Sequence, residues 1–261
     1  MANTVYNNFY LSNEVEDQLN SRLDLLRFCT HDPSLEGTAG MKRIINVYSA
    51  TNGTEKLGQG EGNSKSIEVG FTQKEYEILL AQNRFTWYDE EAMKDPMVVP
   101  TGMKHAGVDL FNTIQADVFA EFKKATLAVN ANAFNFDAFA DARAKLNLEE
   151  ADGVEIFAHV NANVLAQIRK AVKDQLQYVE AFVRSGYVGT VCGINLYDKK
   201  DADDDAIYIG TKKAVTMFTK PGVSVEQERD ANIRKNDAYS RKYYLPALTD
   251  ATQVVKLSIG A

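Results

Sequence analysis

The chain has 261 residues, 45% of them hydrophobic, 25% charged and 10% aromatic, with a formal net charge of −7. A chain of this length and composition withdraws roughly three quarters of its unfolded surface from water, which excludes disorder, collagen-like fibres and low-complexity tails. The acidic balance removes the basic patch from which phosphate binding takes most of its affinity, so tight direct nucleic-acid binding is disfavoured, while enclosing DNA behind an acidic wall is not.

The first ten residues contain no Lys or Arg and no apolar core of roughly 7–15 residues, and no run reaches the ~18–20 apolar residues of a membrane span. Neither a secretory leader nor a membrane anchor is expected, and the protein is expected to be made and kept inside a cell. Cys29 and Cys192 are the only cysteines and form no CxxC pair, so two reduced thiols are expected.

In chain order, residues 11–28 carry Val15, Leu19, Leu23 and Leu26 at spacings of four, four and three behind Ser12, which predicts an amphipathic arm helix. Pro33 and Gly37 then place a boundary at residues 32–37. Residues 42–51 are rich in β-branched and aromatic types and run into Asn52-Gly53, a pair suited to a tight turn at positive φ. A second strand follows at residues 66–71, and between the two lie Gly58, Gly60 and Gly62. Together they predict a long hairpin with two polar faces near its end, which cannot bury itself within its own domain.

After an aromatic patch of Phe85, Trp87 and Tyr88 and a Pro-bounded loop from Pro96 to Pro100, Phe111, Ile114, Val118, Phe122, Ala125 and Val129 recur every three or four residues. They predict a helix over residues 106–129, on the order of 35 Å long. Phe157, Val160, Val164, Ile168 and Val172 predict a second helix over 154–174. Strands are predicted at 187–197 and 206–209, on either side of the acidic linker 198–205, and then at 217–218, 223–225, 239–245 and 254–259.

The motifs that could carry chemistry fail on their spacing. The cluster Gly58, Gly60 and Gly62 lacks the Gly-Lys-Ser/Thr ending of a phosphate loop and reads as a hairpin tip. Asp201, Asp203 and Asp205 start like a calcium loop, but Ala206 stands where its Gly belongs and Lys212 where its Glu belongs. Cys29, His31, His105 and His159 do not make a four-ligand zinc set. The acidic run Asp89-Glu90-Glu91 reads as solvent-facing, and no nucleophile stands beside a base. No catalytic residue, cofactor or metal is expected, and the chain is not expected to be an enzyme.

Taken whole, the order of elements from about Thr38 to Ala261 resembles the tailed-phage major capsid proteins of the Hong Kong ninety-seven type, a fold shared with herpesvirus capsids and encapsulins. The hairpin at 42–71 is similar to the E-loop, the helix at 106–129 to the spine helix, residues 206–215 to an axial-domain segment, and 239–259 to the last peripheral strands. The resemblance implies an α+β fold with an N-terminal arm at 1–40, the E-loop at 41–75, a peripheral domain with the spine helix at 76–130, an axial domain at 131–225, and return strands at 226–261.

It also implies a self-assembling shell of hexamers and pentamers that encloses phage DNA without sequence-specific binding, in the virion after assembly in the host bacterial cytoplasm. A separate scaffolding protein, a portal and decoration proteins are the further partners it implies. Asn52, Gly53, Lys56, Gly58, Gly60, Gly62 and Asn63 become candidates for contact between subunits. Lys56 and Lys65 read as exposed lysines, with no covalent cross-linking carried over. The competing readings are an encapsulin-type compartment with a cargo enzyme, a soluble enzyme of unknown type, and a tail-tube protein. The last would not need the long helix.

Overall fold

The computed structural model describes residues 24–35, 42–148, 153–171, 187–220 and 222–259. The described chain falls into two compact units: Thr38–Leu79, and the remainder on either side of it.

The smaller unit is a two-stranded antiparallel hairpin, β2 (Lys42–Ala50) against β3 (Val69–Glu77), in a continuous register from Lys42 opposite Glu77 to Ala50 opposite Val69. The limbs run on past Asn52-Gly53, which is not the turn, and reverse at Gly58–Glu61. There Glu61 N–H donates to the Gly58 carbonyl at 3.2 Å, and Gly60 sits at φ +89°, the positive value that the third residue of a type II turn requires.

The larger unit holds two sheets. In the first, β1 (Thr30–Asp32) lies parallel to β10 (Val215–Thr219), which pairs antiparallel with the 14-residue β12 (Lys235–Leu248). The strands β11 (Ser224–Asp230) and β4 (Leu79–Tyr88) also pair with β12. In the second, the order is β5 (Leu127–Ala131), β13 (Val254–Ile259), β9 (Ala206–Thr211), β6 (Ile156–Val160), β8 (Ile194–Asp198) and β7 (Tyr187–Val191). The β7–β8 turn is Cys192-Gly193, both at positive φ, which suits the twist of a two-residue hairpin.

This second sheet divides two cores. Along β6, Ile156, Ala158 and Val160 face a cluster built with α3 (Phe136–Leu146) and α4 (Ala162–Ala171), whereas Phe157 faces a cluster built on α2 (Val98–Phe122). Strand β9 alternates in the same way, with Ile207 and Ile209 on one side and Ala206 and Tyr208 on the other. All five residues of β6 are therefore buried.

Helix α2 lays Val99, Met103, Leu110, Ile114, Val118 and Phe122 along one buried face, where Trp87, Met217 and Tyr244 meet them. It is preceded by the short helix α1 (Asp89–Lys94).

Several sequence expectations are corrected by this arrangement. The long helix starts eight residues before 106, because Pro100 falls in its first turn, where an N–H has no intrahelical partner to lose. It ends at Phe122, and Val129 belongs to β5. The helix expected over 154–174 is a strand followed by a shorter helix. Asn161 separates them, its Oδ1 accepting from Val164 N at 2.8 Å as an N-cap; residues 172–174 lie outside the described residues. Of the expected arm helix only Asp24–Phe28 is described, as a 3-10 turn.

Candidate intersubunit surface

The hairpin loop is built by its own polar side chains. Thr51 and Glu68 close the base of the loop, with Thr51 N–H donating to Glu68 O at 3.0 Å and Glu68 N–H to Thr51 Oγ1 at 2.9 Å. Glu55 Oε2 accepts from Ser64 N at 2.9 Å, and Glu55 also pairs with Lys65 at 3.7 Å. These bonds hold the Glu55 carboxyl below its ordinary pKa, the Ser64 backbone bond being the largest cause. At the tip, Glu61 Oε2 accepts from Gly58 N at 2.9 Å.

The contact candidates gather at this end of the hairpin and divide into two groups. Gly53 is buried, because the limbs approach so closely there that an added Cβ would lie 2.7 Å from Ile67 N. Asn63 braces the same crossing, donating Nδ2–H to Gly53 O at 3.1 Å and accepting from Lys65 N at 3.0 Å. Asn52, Lys56, Gly58, Gly60 and Gly62 are exposed.

The hairpin does not have two polar faces near its end. Alternation along a strand puts residues 67, 69 and 71 on one side, and Ile67, Val69 and Phe71 are 62%, 65% and 60% exposed. Nearer the base the same face is mixed: Lys42 bridges to Glu75 at 2.7 Å, and Ile44, opposite Glu75, is 58% exposed. The sequence shows Ile67, Val69 and Phe71 alternating with polar or small residues, but the glycine-rich tip between the limbs led both faces to be read as polar. The signal was present in the two-residue spacing of Ile67, Val69 and Phe71.

Among the described residues no group of three or more His, Cys, Asp and Glu side chains could hold a metal ion. The acidic linker is structural: Asp203 takes Lys123 at 2.6 Å and the Tyr208 hydroxyl at 3.1 Å, and Asp204 accepts from Asn161 Nδ2 at 2.6 Å. His159 is buried against Phe28, Phe119, Phe122 and Phe157, and burial, then the charge of Lys199, pushes its pKa down to about 3. It is a neutral core imidazole at physiological pH. Among the described residues no helix is long and apolar enough to cross a membrane.

Comparison with known proteins places this geometry. No family model matches the chain. Over 253 residues, 95% of this chain and 91% of the relative, the sequence is 21% identical to a major capsid protein of Staphylococcus phage phiMR11. The structure superposes on the capsid of a native GTA particle with a TM-score of 0.70 at 12% identity, covering 92% of this chain and 90% of that one. It superposes on a virus-like particle from Pyrococcus furiosus with a TM-score of 0.67 at 12% identity, covering 97% and 100%. For Mycobacterium phage Che8 the TM-score is 0.62 at 17% identity, covering 91% and 89%.

This is the Hong Kong ninety-seven capsid fold. On that fold the larger unit satisfies itself, with both faces of its second sheet packed, and the hairpin carries an apolar line that its own unit leaves exposed.

Proposed function

We propose that the chain is a self-assembling major capsid subunit of a tailed phage, and that the hairpin is its E-loop, a clasp laid across a neighbouring subunit. The observation that carries the clasp is the exposed line Ile67, Val69 and Phe71, continued on the partner strand by Ile44, which is 58% exposed opposite Glu75. A lone two-stranded hairpin is marginal in water. Burying apolar side chains of this size stabilises by roughly 1.5–3 kcal/mol each, and a partner subunit can supply that cover. Multiplied over a shell, modest contacts suffice and let misplaced subunits leave before closure.

On this reading the arm is 1–40, the E-loop 41–75, the peripheral domain 76–130 with α2 as its spine, the axial domain 131–225, and the return strands 226–261. The subunits form hexamers and pentamers, assembled in the host cytoplasm with a separate scaffolding protein, a portal and decoration proteins as further partners. The shell encloses DNA without reading its sequence and catalyses nothing. The cover of the whole Pyrococcus furiosus particle chain favours one alternative, an encapsulin-type compartment holding a cargo enzyme.

The test is electron microscopy of the chain expressed alone, beside a variant in which residues 52–63 are replaced by a short turn. Closed angular shells from the parent and a soluble, folded, unassembled variant are expected. Normal shells from the variant would overturn the clasp, and dispersed particles from the parent both alone and co-expressed with its neighbouring phage genes would overturn the capsid reading; DNA or protein inside the shells separates phage head from compartment.

A further inference from the structure

A cavity of about 350 Å³ lies within the larger unit, between the 3-10 turn Asp24–Phe28, the middle of α2 and the segment that leads from β8 into the acidic linker. Leu25, Phe28 and Phe111 give it an apolar wall. Its charged lining is Arg27, Lys199 and Lys200 against Asp198, three cations to one carboxylate on a chain whose net charge is −7. Glu155, whose carboxyl feels the Arg27 charge, already accepts from the Tyr197 hydroxyl at 2.8 Å and from Asn195 Nδ2 at 3.0 Å.

Two polar groups of this cavity are incompletely satisfied. His159 lines it at 2% exposure, and its Nε2 is sealed from solvent with no hydrogen-bond partner among the described residues. Buried polar atoms are paired as a rule, because an unpaired one forfeits its bond to water and gains nothing in return. The rings of Phe122 and Phe157 take up the core side of the imidazole, which leaves the cavity as the side from which a partner can come.

Lys199 is the second group. Only 13% of its side chain is exposed, yet its ion pair with Asp201 is 3.9 Å long, outside the roughly 2.7–2.9 Å of a charge-assisted hydrogen bond. Its ammonium rests over the Phe119 ring at 4.8 Å, and burial lowers its pKa against the pull of Asp201. A half-buried ammonium is stabilised by an anion brought close, because the cost of leaving water is then offset by a full charge partner.

We propose that this cavity binds a small organic anion, a carboxylate on an apolar or aromatic body, with Lys199 as its charge partner and His159 Nε2 as a hydrogen-bond partner. The apolar wall takes the body of the ligand, and the exposed Arg27 and Lys200 add to the field that draws its charge in. Every lining residue belongs to one chain, so the site is independent of the shell reading.

Titration of the unassembled full chain with benzoate, followed through the imidazole nitrogen resonances, tests it. The chain has three histidines, and the His159 signal is assigned by its loss in His159→Gln. Benzoate should shift that signal saturably and leave those of His31 and His105 in place, whereas benzyl alcohol, the same ring without the charge, should not shift it. Lys199→Met should weaken benzoate by about ten-fold or more, Lys199→Arg should retain it, and Lys104→Met, at an exposed position of α2, should change nothing. No saturable shift in the parent would overturn the proposal, because the cavity would then hold only water. An equal response to benzyl alcohol, or unchanged benzoate affinity in Lys199→Met, would overturn it as well, because the site would then not read the charge.

Discussion

Strands β3 and β12 are both long, antiparallel and rich in polar residues, yet one is exposed along nearly its whole length and the other is largely buried. The difference lies in what flanks them. β12 is paired on both sides, by β10 and β11 along its length and by β4, and it rests on α2, where Tyr244 donates to Asp117 and Leu248 N–H to Glu121. Among the described residues β3 has one partner strand, β2, and no helix or second sheet of its unit covers either face. The larger unit is thus a protein in the usual sense, whereas the hairpin is ordered backbone waiting for a surface. Ladder hydrogen bonds alone do not fix a structure in water, because every bond gained within the chain replaces one to solvent.

The comparison breaks most visibly by emptying the larger unit's core. Phe139→Ala removes a fully buried ring between α3 and the second sheet and should cost about 3–5 kcal/mol, read as a shift in the denaturant midpoint of the unassembled subunit. Loss of under about 1 kcal/mol would mean that the core collapses around the hole.

A smaller effect concerns acid. Unfolded histidine takes up its proton near pH 6.5, whereas folded His159 does so only near 3. Between those values the unfolded chain holds the extra proton, so stability falls as pH falls from about 6.5 toward 3. His159→Phe should remove that slope from a series of thermal melts, and an unchanged slope would assign it to other groups.

The smallest effect on the free subunit, and the sharpest on the comparison, is Val69→Ser. An exposed strand position should change the stability of the unassembled chain by less than about 0.5 kcal/mol while reducing the yield of shells. A melting shift of the size seen for Phe139→Ala would mean that the hairpin's face is already covered within one subunit.

Much of this contrast was legible in the residues. The strand expected at 254–259 matched β13, whereas the run 66–71 belongs to a strand that starts at Val69 and continues to Glu77, and 187–197 is two strands, β7 and β8, around Cys192-Gly193. The second helix misread because Phe157, Val160 and Val164 are buried for two different reasons: the first two lie on opposite faces of a strand between two cores, and the third on a helix behind Asn161. A doubly buried strand presents the same unbroken apolar run as a helix stripe. Helix α3 was missed because four alanines dilute its apolar face, although its N-cap, Asn135 accepting from Ala138 N at 2.9 Å, stood in the sequence. The apolar line of Ile67 and, on β3, Val69 and Phe71 needed only the parity of these positions.

Amide hydrogen exchange over residues 42–77, measured in assembled shells and in unassembled subunits, tests the central claim most directly. If neighbouring subunits supply what the hairpin lacks, its amides exchange rapidly in the free subunit and become strongly protected in the shell, while those of β6 and β9 are slow in both. Equal protection of the hairpin in the two states would contradict the account, because the hairpin would then owe its order to its own chain.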